Sequence, residues 1–119
     1  MAAMVARPRS RSHDEDGVTA ADQRTARLLK ALAHPARVAL VRRLAEAPRC
    51  VHELVGELGL DQPLVSQHLR VLRSAGVLSG ERQGREIVYS LRDDHVAHIV
   101  LDAVEHSGES TADEAGSAG

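Results

Sequence analysis

The chain contains no phenylalanine, no tryptophan, one tyrosine and one cysteine in its 119 residues. Without aromatic bulk its core must be built from Leu, Val, Ala and Ile, which suits short packed helices. The single thiol, Cys50, cannot close a disulfide within the chain and fits a reducing compartment. No apolar run approaches the roughly 20 residues that span a bilayer, and the N-terminus has no apolar stretch of the signal-peptide kind. These absences predict a soluble, cytoplasmic protein with no membrane partner. Also missing are a Gly-rich phosphate loop, a Ser/His/Asp set and a reactive Cys–His context beyond Cys50-x-His52. No enzyme and no small-molecule substrate are therefore expected. The length allows one domain, of a size that gains apolar burial by oligomerising.

Net charge is −2, yet the charges are sorted along the chain. Residues 24–92 carry twelve Lys/Arg against six Asp/Glu, whereas residues 93–119 carry seven acidic residues and no Lys or Arg. A basic middle can meet phosphates and an acidic end can attract cations.

Punctuation divides the sequence. Residues 1–20 are poor in apolar side chains and are expected to form a disordered arm, and the small polar run 110–119 a disordered tail. Between them, residues 21–109 form the expected folded domain. ADQRTARLLKALA reads as a first helix ending before Pro35, with apolar Ala21, Leu28, Leu29 and Leu32 at helical spacing. Pro35 then suits the first turn of a second helix, ARVALVRRLAEA, closed by Pro48. VHELVGEL is a third, stopped by Gly59. Asp61 is placed to cap QPLVSQHLRVLRSA, which Gly76 terminates. VLSGER and EIVYSL alternate with period two and are joined through Gln83-Gly84-Arg85 as a β-hairpin. A last helix runs from about Asp94 to His106, with an apolar stripe of Val96, Ile99, Val100, Ala103 and Val104.

That order predicts a mainly α fold with a β-hairpin wing: a winged helix-turn-helix. On the helix of residues 62–75, Val65, Leu69 and Leu72 are expected to face inward. Gln62, Pro63, Ser66 and Gln67 then lie at its exposed start, where Gln62, Ser66 and Gln67 carry groups suited to base edges. Arg70 and Arg73 can reach phosphates or bases, and Arg82 and Arg85 of the wing can reach backbone or minor groove. The expected partner is double-stranded operator DNA. The competing reading is a helical hairpin with a solvated basic face.

The acidic end carries a second pattern: Asp93, His95, His106 and Glu109, all potential metal ligands on one helix. His95 and His106 are about three turns, or roughly 16 Å, apart, so no single ion joins them within one helix. Two copies packed antiparallel about a two-fold axis bring them together, because the pairs 95/106 and 93/109 are both centred beside Leu101. Three turns also return to within about 20° of the same face. The pattern thus predicts a homodimer with two symmetric sites, each built from Asp93 and His95 of one subunit and His106 and Glu109 of the other. Each residue also has a plainer role: Asp93 or Asp94 as helix cap, His106 and His98 as polar residues on a dimer helix. His98 lies off the ligand face. His34 and His68 are better explained by packing and hydrogen bonding than by ligation.

Taken together, HPARVALVRRL, QPLVSQHLRVLRSAGV and GREIVYSL resemble the ArsR/SmtB family of metal-sensing repressors over about residues 22–109. The resemblance implies a homodimer, joined through its first and last helices, that represses in the metal-free state and leaves DNA when the inducer binds. The last helix also matches the D-x-H-x10-H-x2-[HE] pattern of the family's zinc-responsive branch through Asp93, His95, His106 and Glu109, and the sequence looks especially similar to that branch's actinobacterial members. Zn²⁺ is the implied cofactor, and the compact two-imidazole, two-carboxylate set tolerates Co²⁺ as a substitute. The branches that sense arsenic, cadmium and lead carry Cys-x-Cys where this chain has Cys50-Val51-His52, and one thiolate does not select a soft metal. Cys50 is read as a partly buried small residue and His52 as a surface one, the alternative being a second metal site completed by His13 or Asp14. The remaining functional alternatives are a nickel- or cobalt-responsive repressor and a thiol-based redox repressor using Cys50. Nickel is disfavoured by the lack of histidine after His106, and the redox reading by the lack of a resolving cysteine.

Overall fold

A computed structural model describes residues 17–118, with side chains described as far as residue 108. The elements are α1 (Ala20–Leu32), α2 (Pro35–Glu46), β1 (Arg49–Cys50), α3 (Val51–Leu58), α4 (Gln62–Ser74), β2 (Leu78–Gln83), β3 (Glu86–Leu91) and α5 (Asp94–Ala118). The chain divides into two compact units, one ending at Lys30 and one beginning at Ala31.

In the first unit α1 opens on a reciprocal cap. Thr19 N–H donates to Asp22 Oδ2 at 2.9 Å, and Asp22 N–H donates to Thr19 Oγ1 at 3.0 Å. Two of the helix's orphan amides are satisfied in this way. The expected disordered arm falls mostly on residues outside those described.

The second unit is built around aliphatic side chains. Leu40, Val41, Leu54, Val65, Leu69, Leu72, Val77 and Leu78 are all essentially inaccessible. Val65, Leu69 and Leu72 of α4 face inward, as their spacing predicts. α4 packs against α2, α3 and β2, and α5 lies against α2 and β3. Pro35 occupies the first turn of α2, and His34 caps it, its Nδ1 accepting from Ala36 N–H at 3.1 Å. Gly59 ends α3 with φ +68°, a left-handed conformation that costs a side-chain-bearing residue roughly 1–2 kcal/mol.

Several boundaries differ from the sequence reading. A two-residue strand, β1, pairs with β3 (Arg49 opposite Tyr89, Cys50 opposite Val88), so the hairpin is part of a three-stranded antiparallel sheet ordered β1-β3-β2. Periodicity cannot reveal so short a strand, because its existence depends on a partner far along the chain. Gln83 is the last residue of β2, opposite Glu86, which leaves Gly84-Arg85 as the turn. Asp61 occupies the N-cap position of α4, but its side chain makes no capping hydrogen bond. α5 does not stop near His106 or Glu109 but continues to Ala118. No proline interrupts residues 107–118, and extending a formed helix is far easier than nucleating one, even across glycines that each cost about 1 kcal/mol.

The expected apolar stripe of α5 is split. Val96, Ala97 and Val100 are buried and Val104 is half-buried, whereas Ile99, Leu101 and Ala103 are exposed. Among the described residues no helix is long and apolar enough to cross a membrane.

Among the described residues one polar side chain penetrates the core. His68 of α4 is 4% exposed, accepts at Nδ1 from Arg37 Nε at 3.1 Å and lies 4.4 Å, ring to ring, from His34. Arg37 also donates from Nη1 to the Ala31 carbonyl at 3.1 Å, fixing the approach to α2. Burial, then His34 and Arg37, hold the His68 imidazole below its ordinary pKa. Above the ordinary histidine value of about 6.5, the residue is neutral in both folded and unfolded chains. As the pH falls below that value, the unfolded chain takes up a proton that the folded one resists, and stability is lost. His68→Gln keeps an acceptor for Arg37 and removes the titration. Thermal unfolding followed between pH 7 and 5 should therefore show a shallower acid loss in His68→Gln than in the parent; parallel curves would exclude His68 as the cause.

Candidate nucleic-acid interface and metal ligands

The helix-turn-helix is formed by α3, the turn at Gly59, and α4. With Val65, His68, Leu69 and Leu72 turned inward, helical geometry leaves Gln62, Pro63, Leu64, Gln67, Arg70 and Arg73 exposed and Ser66 half-buried. All the residues expected to meet DNA on this helix thus lie on its accessible side or at its edge. Arg73 differs from the rest: its Nη1 lies so near Gly80 of β2 that a Cβ there would sit 3.1 Å from it. That guanidinium lies beside the first strand of the wing. Leu64, exposed at 40%, was not singled out by sequence because attention to polar groups passes over an apolar residue on an outer face.

The wing turns at Gly84, with φ +65°, and both Arg82 and Arg85 are exposed. Its base is held by the β1–β3 pairing and by Arg49. The Arg49 guanidinium donates from Nη1 to the carbonyls of Arg43 and Ala47, and from Nε to Glu57 Oε2 at 2.7 Å. It therefore satisfies carbonyl groups at the end of α2 while anchoring the strand that leads into α3.

Among the described residues, the expected ligands Asp93, His95 and His106 do not converge within one chain. Asp93 precedes α5 and acts first as a cap, its Oδ1 accepting from His95 N–H at 2.9 Å. The same oxygen lies 3.5 Å from His95 Nδ1, and the two side chains are 54% and 86% exposed. Asp93 and His95 thus form an adjacent, solvent-facing pair. His106 is exposed farther along the same helix, and the backbone of Glu109 continues it. His98 is also exposed.

Three other ligand-type groups do meet: the donor atoms of Cys50, His52 and Glu86 lie within 4.8 Å of one another. Cys50 is buried, as its small apolar character predicts, and His52 is exposed. Burial, followed by hydrogen bonding to Glu86 and Glu53, raises the Cys50 thiol pKa despite the opposing effect of the backbone contact with Glu53. A buried thiol held protonated is a poor nucleophile, which counts against a redox role. The sequence reading paired Cys50 and His52 with His13 or Asp14, residues outside those described. Glu86 escaped it because only the β1–β3 register, with Cys50 opposite Val88, brings the start of β3 beside the start of α3.

Fold and outer surface together define a winged helix-turn-helix protein. The family profile described as bacterial regulatory protein, arsR family, matches residues 34–79, which run from the cap of α2 into β2. A relative from Mycobacterium tuberculosis, the HTH-type transcriptional repressor SmtB, is 63% identical over 82 residues. That match covers 69% of this chain and 61% of the relative. Among solved structures, the crystal structure of M. tuberculosis Rv0081 aligns with a TM-score of 0.72 and 33% identity, covering 82% of this chain and 98% of that one. The homodimeric winged helix-turn-helix DNA-binding domain of Mb0332 from Mycobacterium bovis aligns with a TM-score of 0.72 and 25% identity, covering 84% and 93%. The chain belongs to the ArsR/SmtB family of bacterial regulatory proteins.

Proposed function

We propose that this protein is a homodimeric, zinc-responsive transcriptional repressor whose metal-free form binds operator DNA and whose zinc-bound form releases it. The observation that carries the sensing role is the Asp93–His95 pair, with an oxygen and an imidazole nitrogen 3.5 Å apart on the solvent side of α5. Two donors bound to one tetrahedral Zn²⁺ at about 2.0–2.2 Å lie about 3.3–3.5 Å apart, so the pair already has the separation of half a site. His106 and Glu109 of a second copy would supply the other half. The exposed Ile99, on the same side of α5 as His95 and His106, gives the two helices an apolar contact to share. The homodimeric state of the M. bovis relative and the repressor name of the M. tuberculosis relative support the same reading.

On DNA, Gln62, Pro63, Ser66 and Gln67 would face base edges in the major groove. Arg70, Arg73, Arg82 and Arg85 would face phosphates or the groove margins. Zn²⁺ would supply a crosslink between the two copies of α5, and Co²⁺ can occupy the same donor set. α5 packs on α2 and α2 on α4, so a change in the pairing of the two copies of α5 alters the separation of the two recognition helices. Successive major grooves lie roughly 34 Å apart, and dimers that no longer match this spacing let go. The coupling is reciprocal: DNA weakens zinc affinity by the factor by which zinc weakens DNA affinity, typically about 1–3 kcal/mol.

His106→Ala should leave operator affinity unchanged and abolish release by zinc, as read by fluorescence anisotropy on an operator fragment. Release at parental zinc concentrations would move the regulatory site away from α5. Gln67→Ala should lose about 1–3 kcal/mol of discrimination between operator and random DNA. Arg85→Ala should instead weaken both and lower the salt slope by about one unit. An equal loss on both DNAs for Gln67→Ala would mean that this residue does not read sequence.

A further inference from the structure

Gly80 lies inside β2, where a glycine weakens a strand and needs a local reason. Its backbone supplies none, since Gly80 is not among the glycines of positive φ. Its surroundings do: a Cβ built there would lie 3.0 Å from Ile87 Cγ2, 3.1 Å from Arg73 Nη1 and 3.2 Å from Tyr89 Cε1. Gly80 stands opposite Tyr89 and Arg82 opposite Ile87, so Leu78, Gly80 and Arg82 share one face of the wing with Ile87 and Tyr89. Leu78 on that face is buried, and α4 packs against β2.

The direction of Arg73 on α4 agrees. With Val65, Leu69 and Leu72 enclosed, Pro63, Gln67 and Arg70 fall on the opposite, outer side. Gln62, Ser66 and Arg73 form a separate column along one flank, at spacings i, i+4 and i+11. Gln62 and Ser66 border a cleft that Ile87 and Tyr89 also line, so this flank is the one turned to the wing. Arg70 and Arg73 point about 60° apart.

We propose that Gly80 is a seat for the Arg73 guanidinium, and that Arg73 serves DNA binding as a positioning residue that fixes the angle of the wing to α4, not as a contact to DNA. The proposal rests on the DNA-binding reading above and changes the role of one residue in it. Only glycine leaves room for the guanidinium between the wing face and the helix flank. Gly84 of the turn lies about 13 Å along the strand from the seat, so a tilt of about 10° carries the tip about 2 Å, enough to break a hydrogen bond. A filled seat therefore holds Arg85 at the tip in a fixed relation to Arg70 on α4, and one duplex can meet both.

The test measures affinity against salt concentration for the full metal-free chain on a random-sequence DNA duplex. In Gly80→Ala the flexible guanidinium is the neighbour that yields, because Ile87 and Tyr89 are held by strand pairing. This variant removes no charge, yet it should lower the salt slope by about one unit, the loss expected for Arg85→Ala. Arg73→Ala combined with Arg85→Ala should likewise lose about one unit in total, whereas two independent phosphate contacts would lose about two. Tyr89 is the one tyrosine in a chain without tryptophan, so its emission reports on the seat. Arg73→Ala and Gly80→Ala should each make that emission more readily quenched by acrylamide, with helix content by circular dichroism unchanged. Arg73 is exposed on a helix and alanine is the strongest helix former, so Arg73→Ala folds and its pairing with Arg85→Ala decides the question even if Gly80→Ala does not fold. A loss of two units in the double variant, or an unchanged slope in a folded Gly80→Ala, would overturn the positioning role. Unchanged quenching of Tyr89 in Arg73→Ala would overturn the seat itself, and a parent that binds no DNA would overturn the DNA-binding reading instead.

Discussion

A straight helix holds its side chains at fixed separations, and in this protein that constraint decides which groups can act together. Asp93 and His95 are neighbours at the start of α5, whereas His106 lies about three turns away, beyond the reach of any rotamer. In the proposed site a second copy closes the distance. Ile99 remains exposed on the intervening helix while Val96, Ala97 and Val100 of the same helix are buried, so α5 carries an apolar residue outside its packed face. The packed face fastens α5 to the body of its own chain, and Ile99 lies on the side that carries His95 and His106.

The lack of large aromatics shapes the rest. A core of Leu and Val fills the space between short helices in small steps, which places α4 with one face fully enclosed and the opposite face free. His68 is the exception within that enclosed face, held by Arg37 and packed against His34. The arginine that secures His68 also binds the Ala31 carbonyl, so one side chain links α4 to the approach of α2. At the other end of α2, Arg49 links the helix to Glu57 of α3 and to the strand that organises the wing. Two arginines thus hold the two ends of the frame that presents α4.

Much of this was legible in the sequence because it depends on local rules. Period and punctuation located the helices and the hairpin, Pro35 and Gly59 marked their ends, and apolar spacing on α4 identified Val65, Leu69 and Leu72 as interior. What was not legible depends on distant pairing or on the strength of small competing preferences. β1 exists only through β3, and the neighbourhood of Cys50, His52 and Glu86 follows from that register. The extension of α5 past His106 reflects helix propagation through a segment whose composition resembles that of a tail. Asp61 has the residue type and position of a cap yet makes no capping bond, because position alone does not fix a side-chain rotamer.

The claim that the proposed zinc sites cross between subunits has a direct test in mixed dimers. His95→Ala and His106→Ala homodimers should each lack the terminal-helix zinc site, as read by the visible absorption of tetrahedral Co²⁺. In a heterodimer of the two variants, the damaged ligands fall together in one site, and the other keeps both histidines. Mixing the variants should therefore restore that absorption to one equivalent per heterodimer. If subunit exchange is complete and no absorption returns, the ligands do not cross between chains, and the account of sensing is wrong.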